Sequence, residues 1–125
     1  MRVQDYKFKA KLVDGGKWVC GSLILWPDGE VYMLHNVDFE KTGMLNKDPV
    51  KAETVGIFTG KKDRNGTDIY TGDIVTNGLL TTHVQFDPNI GFLFGGLTWG
   101  MMKPEASALL EVIGNIHDPQ NPLIE

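Results

Sequence analysis

Side chains able to do chemistry are few in this sequence and they are scattered. Cys20 is the single cysteine of the 125 residues, and the three histidines are His35, His83 and His117. A thiol held against an imidazole makes an activated nucleophile, but no such pair is adjacent in sequence. None of the histidines has a partner at the short spacing of a metal site, so all three read as surface or strand-edge residues. Cys20 lies inside the apolar run Trp18-Val-Cys-Gly-Ser22 and reads as a buried, inert thiol. Asp63, Asp68, Asp73 and Asp87 would serve acid–base or cation chemistry only if a cleft gathered them, and each already has a turn or strand-edge explanation. No catalytic residue, no cofactor-binding residue and no metal ligand is assigned.

The glycine-rich segments are equally unproductive. Gly60-Lys61-Lys62 suggests a phosphate loop, but that pattern needs Gly where Val55 stands and Ser or Thr where Lys62 stands. Asp63-x-Asn65 opens like a calcium loop, yet its sixth position is Asp68 in place of Gly and its twelfth is Ile74 in place of Glu. Gly91-x-x-x-Gly95-Gly96 is not a dinucleotide fingerprint. What remains is surface. Lys61, Lys62 and Arg64 form a small basic tip, which reads as a solvated hairpin end or as a weak phosphate contact. Most aromatic residues belong to the core. Trp26 and Trp99 sit beside Gly/Pro turns and are candidate anchors for a partner or another copy of the chain.

The elements that must position these residues are short strands punctuated by turns. Lys7–Leu12 alternates, with Phe8, Ala10 and Leu12 on one face and three lysines on the other. Lys17–Trp26 carries apolar residues on both faces, as in a central or interface strand. Pro27-Asp28-Gly29 turns the chain into Val31–Leu34. Asn36–Ala52 breaks the periodicity and reads as a loop with one helical turn near 38–41. The central stretch, Thr54–Thr76, holds two strands around Asp63-Arg64-Asn65-Gly66 and a third entered through Gly72-Asp73. Asn-Gly favours the positive φ of a tight hairpin turn, and the Asp63 carboxylate is placed to cap it. Asn77-Gly78 and Asp87-Pro88-Asn89 bracket Thr81–Phe86, and Gly91–Phe94 returns beside it. Pro104–Leu110 reads as one short helix ahead of the last strand, Glu111–Ile116.

Thr54-Val-Gly56-Ile-Phe-Thr-Gly60, Lys62-Asp63, Asn65-Gly66, Ile69-Tyr70 and Gly72-Asp73-Ile74-Val75 together resemble the central signature of YopX proteins, small proteins of phages and prophages. Leu110-Glu-Val-Ile-Gly114-Asn115-Ile-His117 is similar to the C-terminal motif of that family, and Tyr6–Ala10 and Trp18–Ser22 to its start. The resemblance implies a mostly β fold and a phage or bacterial cytoplasmic setting. It brings no established activity and no catalytic residues, so its matching positions are read as structural.

The expected architecture is a single mostly β domain over 1–125. Its short-stranded meander hairpins curl into a small barrel or bent sheet, with an SH3-like element at Tyr70–Val75 by analogy and one short helix before the last strand. The formal net charge of −4 argues against binding nucleic acid through a basic domain. A lone cysteine fits a reducing cytosol, the N-terminus lacks the apolar core of a signal peptide, and no run is long enough to span a membrane. Two functions follow as expectations. One is a non-enzymatic accessory protein acting through protein contacts, with itself or with a phage or host protein. The other is a small β-barrel module binding nucleic acid, with Lys61, Lys62 and Arg64 joining Lys7, Lys9 and Lys11.

Overall fold

The computed structural model describes residues 7–35, 46–94, 97–98 and 109–123. The protein is mostly β; among the described residues its strands form two antiparallel sheets, and neither closes into a barrel. Of the two forms expected, a small barrel or a bent sheet, the sheets are consistent with the second. The chain divides into two compact units, Met1–Ile57 and Phe58–Glu125, and each has a core of its own.

In the first unit, β1 (Phe8–Lys11), β2 (Trp18–Leu25), β3 (Val31–His35) and β4 (Asn46–Pro49) pair in the order β4-β3-β2-β1, and Gly56 and Ile57 pair along the other side of β1. Alternation decides what is buried. Ala10, Met33 and Val50 form the core, with Phe8, Leu12, Val19, Leu23, Val31 and Val55 packed against it. The Pro27-Asp28-Gly29 turn is present, with Gly29 at φ 93° and the Glu30 N–H held by the Asp28 carboxylate at 2.9 Å.

Two expectations fail here. Residues 46–49 are not loop but the edge strand β4, paired from His35↔Asn46 to Tyr32↔Pro49. Asn-Lys-Asp-Pro carries no apolar alternation, because an edge strand makes its bonds through backbone and tolerates proline on its open side. The buried His35 side chain adds a 2.8 Å contact from Nε2 to the Asp48 carboxylate. Asp38–Lys41, read as a helical turn, lies outside the described residues, as does the expected helix up to residue 108. Cys20, expected to be buried, is exposed. It stands opposite Lys9 in the β1–β2 register, on the face pointing away from the Ala10–Met33–Val50 core.

In the second unit, β5 (Gly56–Lys62) pairs from Phe58 onward with β6 (Asp68–Tyr70). Then β7 (Asp73–Thr76), β8 (Thr81–Asp87), β9 (Gly91–Phe94), β10 (Leu97–Thr98) and β11 (Glu111–Asn115) form a five-stranded sheet in the order β10-β9-β8-β7-β11. Its core is Ile69, Val75, Val84, Phe94 and Leu110, with Val112 against it. The β8–β9 hairpin runs in the expected alternation, Val84 paired with Phe94 and Phe86 with Phe92.

One glycine of the first sheet is there for space. A Cβ built on Gly21 would lie 2.0 Å from the Leu34 carbonyl oxygen, and backbone on both sides leaves little room to relax. Gly21→Ala should therefore lower stability by about 1–3 kcal/mol, the usual cost of overpacking. The check is the urea midpoint at unchanged m-value; an unchanged midpoint would refute the close approach.

Candidate functional site

Of the four candidate acids, Asp63, Asp73 and Asp87 accept from backbone N–H groups and Asp68 pairs with Lys62. At the β5–β6 turn, the Gly66 N–H donates to the Asp63 carbonyl (3.0 Å) and the Asp63 N–H to the Thr67 carbonyl (2.8 Å). Gly66 alone of this turn has positive φ, 81°. The hairpin thus uses an ordinary turn closed by a left-handed glycine bulge. The expected turn, with Asn65 also at positive φ, is not formed. The reason is Asp63: its Oδ1 accepts from the Asn65 and Thr67 N–H groups at 2.8 and 2.9 Å, which fixes the wider loop. Its Oδ2 accepts from the Val112 N–H at 2.9 Å, 49 residues away. The Arg64 N–H donates to the Leu110 carbonyl at 2.9 Å. The turn therefore caps the entry to β11.

Asp73 does the same at the far end of that strand. It is 1% exposed. Its Oδ2 accepts from the Tyr70 N–H at 2.8 Å and its Oδ1 from the Asn115 side-chain amide at 3.0 Å. Asn115 passes the chain of bonds on, its Oδ1 accepting from the His117 N–H at 2.9 Å. Gly72 permits the approach. It has φ 89°, its N–H donates to the Val84 carbonyl, and its carbonyl accepts from the Ile116 N–H at 3.0 Å. A Cβ there would crowd the Asn115 amide at 3.4 Å. At Gly114 a Cβ would meet the Pro122 ring at 3.0 Å, so the chain after β11 folds back over that glycine.

The remaining signature positions have local jobs. Gly60, at φ 85°, sits in the irregular register between Phe58 and Lys62, while the Thr59 hydroxyl donates to the Ile69 carbonyl at 2.8 Å. Tyr70 packs on Phe58 with ring centroids 5.6 Å apart. Gly56 is buried and pairs with Lys9. Asp68 pairs with Lys62 at 2.7 Å, and Asp87 caps its own turn through the Asn89 and Ile90 N–H groups. Among the described residues, no group of three or more His, Cys, Asp or Glu side chains is gathered as a metal would require.

The surface candidates fare differently. Lys62 and Arg64 are engaged by Asp68 and Glu111, so the basic tip is largely neutralised. Trp26 is 44% exposed, edge-on to Tyr32 at 6.1 Å and beneath the Lys47 ammonium at 5.3 Å. Trp99 lies outside the described residues. Sequence reasoning missed Leu79, 98% exposed, and Leu80, half-exposed beside it. Their signal was two leucines directly after the Asn77-Gly78 turn. The Asn77 Oδ1 accepts from both their N–H groups, at 2.9 and 2.8 Å, and holds them at the tip.

Fold and site together define a mostly β protein whose signature residues build turns and cap a strand. The chain belongs to the YopX protein family, whose model matches residues 7–125. None of the curated proteins matches it. Among the described residues no helix is long and apolar enough to cross a membrane.

Asp63 also predicts acid behaviour. Burial alone would raise its pKa, but the N–H donors of Val112, Thr67 and Asn65, with Arg64 nearby, outweigh it and hold the carboxyl below its ordinary 3.8. A carboxylate of depressed pKa adds stability that is complete above the unfolded value and is lost as pH falls through the folded one. Asp63→Asn should therefore be destabilised at pH 7 by about 1–3 kcal/mol, because its amide cannot satisfy all three donors. It should approach the wild type below pH 4. Denaturant midpoints across pH 2–7 check this; a constant gap between the two proteins would refute it.

Proposed function

We propose that this is a phage or prophage accessory protein that works without catalysis. It acts through contacts with protein partners, further copies of itself among them, in the cytoplasm of a bacterial host. Membership of the YopX family supports the setting. The observation that carries the reading is the Leu79–Leu80 tip, a pair of exposed leucines held in fixed geometry by Asn77. Single exposed apolar residues are ordinary, but an adjacent pair on a rigid turn is a ready anchor. Pairing of identical tips about a two-fold axis would bury both at once. The buried acids support the non-enzymatic part, since Asp63 and Asp73 spend their oxygens on N–H donors. The alternative of nucleic-acid binding through Lys61, Lys62 and Arg64 is weakened at that tip by the ion pairs of Lys62 and Arg64.

Light scattering coupled to size exclusion tests the self-association. The wild type should exceed the 13.9 kDa of one chain in a concentration-dependent way, and Leu79→Asp with Leu80→Asp should return it to the monomer mass with its circular dichroism unchanged. A wild type that stays strictly monomeric at millimolar concentration would remove self-association from the reading.

A further inference from the structure

Two Asn-Gly steps stand on exposed turns of the second unit, and the structure holds them differently. An asparagine followed by glycine is able to modify itself. Glycine has no Cβ to shield its nitrogen, so that nitrogen can reach the neighbouring carboxamide carbon. At Asn77-Gly78 both reacting groups are tied. The Asn77 Oδ1 accepts from the Leu79 and Leu80 N–H groups, and the Gly78 N–H donates to the Thr76 hydroxyl at 3.1 Å. At Asn65-Gly66 only the nitrogen is tied, by the 3.0 Å bond from the Gly66 N–H to the Asp63 carbonyl. The Asn65 side chain is exposed, and among the described residues nothing bonds its carboxamide.

We propose that Asn65 is a site of spontaneous deamidation and that the change loosens the cap on β11. The Gly66 nitrogen gives up its proton to solvent and bonds to the Asn65 Cγ. The Cγ–Nδ2 bond breaks, the departing nitrogen takes up a proton and leaves as ammonia, and a succinimide ring is closed. Water then opens the ring at either carbonyl, giving aspartate or isoaspartate. One water is consumed and one ammonia released, with no oxidant or cofactor. Isoaspartate carries the main chain through its side-chain methylene, so the backbone between the N–H groups of positions 65 and 67 grows by one carbon. Asp63 Oδ1 bridges those two N–H groups at 2.8 and 2.9 Å. One oxygen can do so only while the chain between them keeps its length. Asp63 Oδ2 meanwhile holds the Val112 N–H at 2.9 Å, so displacing Asp63 releases β11 at its start. The proposal is independent of self-association through the Leu79–Leu80 tip.

Mass-spectrometric peptide mapping of the full chain, aged in mildly alkaline buffer, tests the site. Reaction at Asn77 requires two more hydrogen bonds to open than reaction at Asn65. Each holds the open form down by about fivefold, so Asn65 should convert roughly tenfold or more ahead of Asn77. In the urea-unfolded chain the two steps should convert at similar rates, since both are Asn-Gly. Asn65→Gln, which must close a larger ring, should stop conversion there with circular dichroism unchanged. A folded chain that converts at Asn77 as fast as at Asn65 would overturn the site. So would one that leaves Asn65 intact while the unfolded chain converts. The isoaspartyl form, separated by chromatography, should show a lower urea midpoint than the unaged chain. Asn65→Asp, which adds the charge without the backbone carbon, should keep most of that midpoint. An isoaspartyl midpoint equal to that of the unaged chain, or a loss matched by Asn65→Asp, would overturn the loosening of the cap.

Discussion

Two carboxylates are taken out of water in the second unit, and the rest of that unit follows from the need to satisfy them. An isolated buried carboxylate is untenable; one that receives several N–H donors is stable. Asp63 and Asp73 find part of that supply in their own turns and the rest on the C-terminal strand, at Val112 and Asn115. The strand is thereby gripped at its start and at its end, with Ile74 and Val75 pairing alongside between those grips. Removing either acid would leave N–H groups of the strand unmatched as well as its own turn. The hairpin, the Gly72 bend and the last strand are therefore expected to form and unfold as one cooperative piece.

This arrangement bears on function by subtraction and by placement. Side chains that read as candidate acids are committed to backbone and to each other's neighbours, and the glycines around them exist to let that backbone come close. Asp63, Gly66, Gly72, Asp73 and Asn115, which carry part of the YopX resemblance, make backbone and strand-capping bonds. Among the outward features of the described residues are two of different physical kinds. One is apolar, the leucine pair at the β7–β8 tip. The other is the lysine-covered aromatic face of the first sheet. They belong to different units.

Legibility in the sequence tracked locality. The turn at Pro27-Asp28-Gly29 and the β8–β9 alternation were readable because neighbours in sequence decide them. Gly66 and Gly78 were recognisable for the same reason. Where the reading failed, a distant or absent neighbour had decided. Strand β4 carries no alternation because it sits at an edge and is recruited by β3 through backbone alone. Cys20 lies in an apolar run, yet it is exposed, on the side of the sheet opposite the Ala10–Met33–Val50 core. The turn type at Asn65-Gly66 depended on a carboxylate one step earlier, and that step was visible: the role of Asp63 as a turn cap was legible, its reach to Val112 was not. Pattern alone does not say which side of a two-sided apolar strand receives the packing: Val19 and Leu23 of β2 pack on the core, and Trp18 stands on the other side with Lys9 and Lys11.

By itself the sequence determined most of the strands, most of the bends between them, the family, and the absence of any ligand set spaced along the chain. These are consequences of side-chain alternation and of turn residues acting over a few positions. Only the tertiary structure decided which acids are buried, which face of the first sheet is outward, and which loop residues join an edge. Each of those depends on donors, packing layers or pairing edges tens of residues away, 42 for Asp73 with Asn115 and 49 for Asp63 with Val112. A local pattern holds no record of separations that long, because the energy that selects them exists only once the chain has closed on itself.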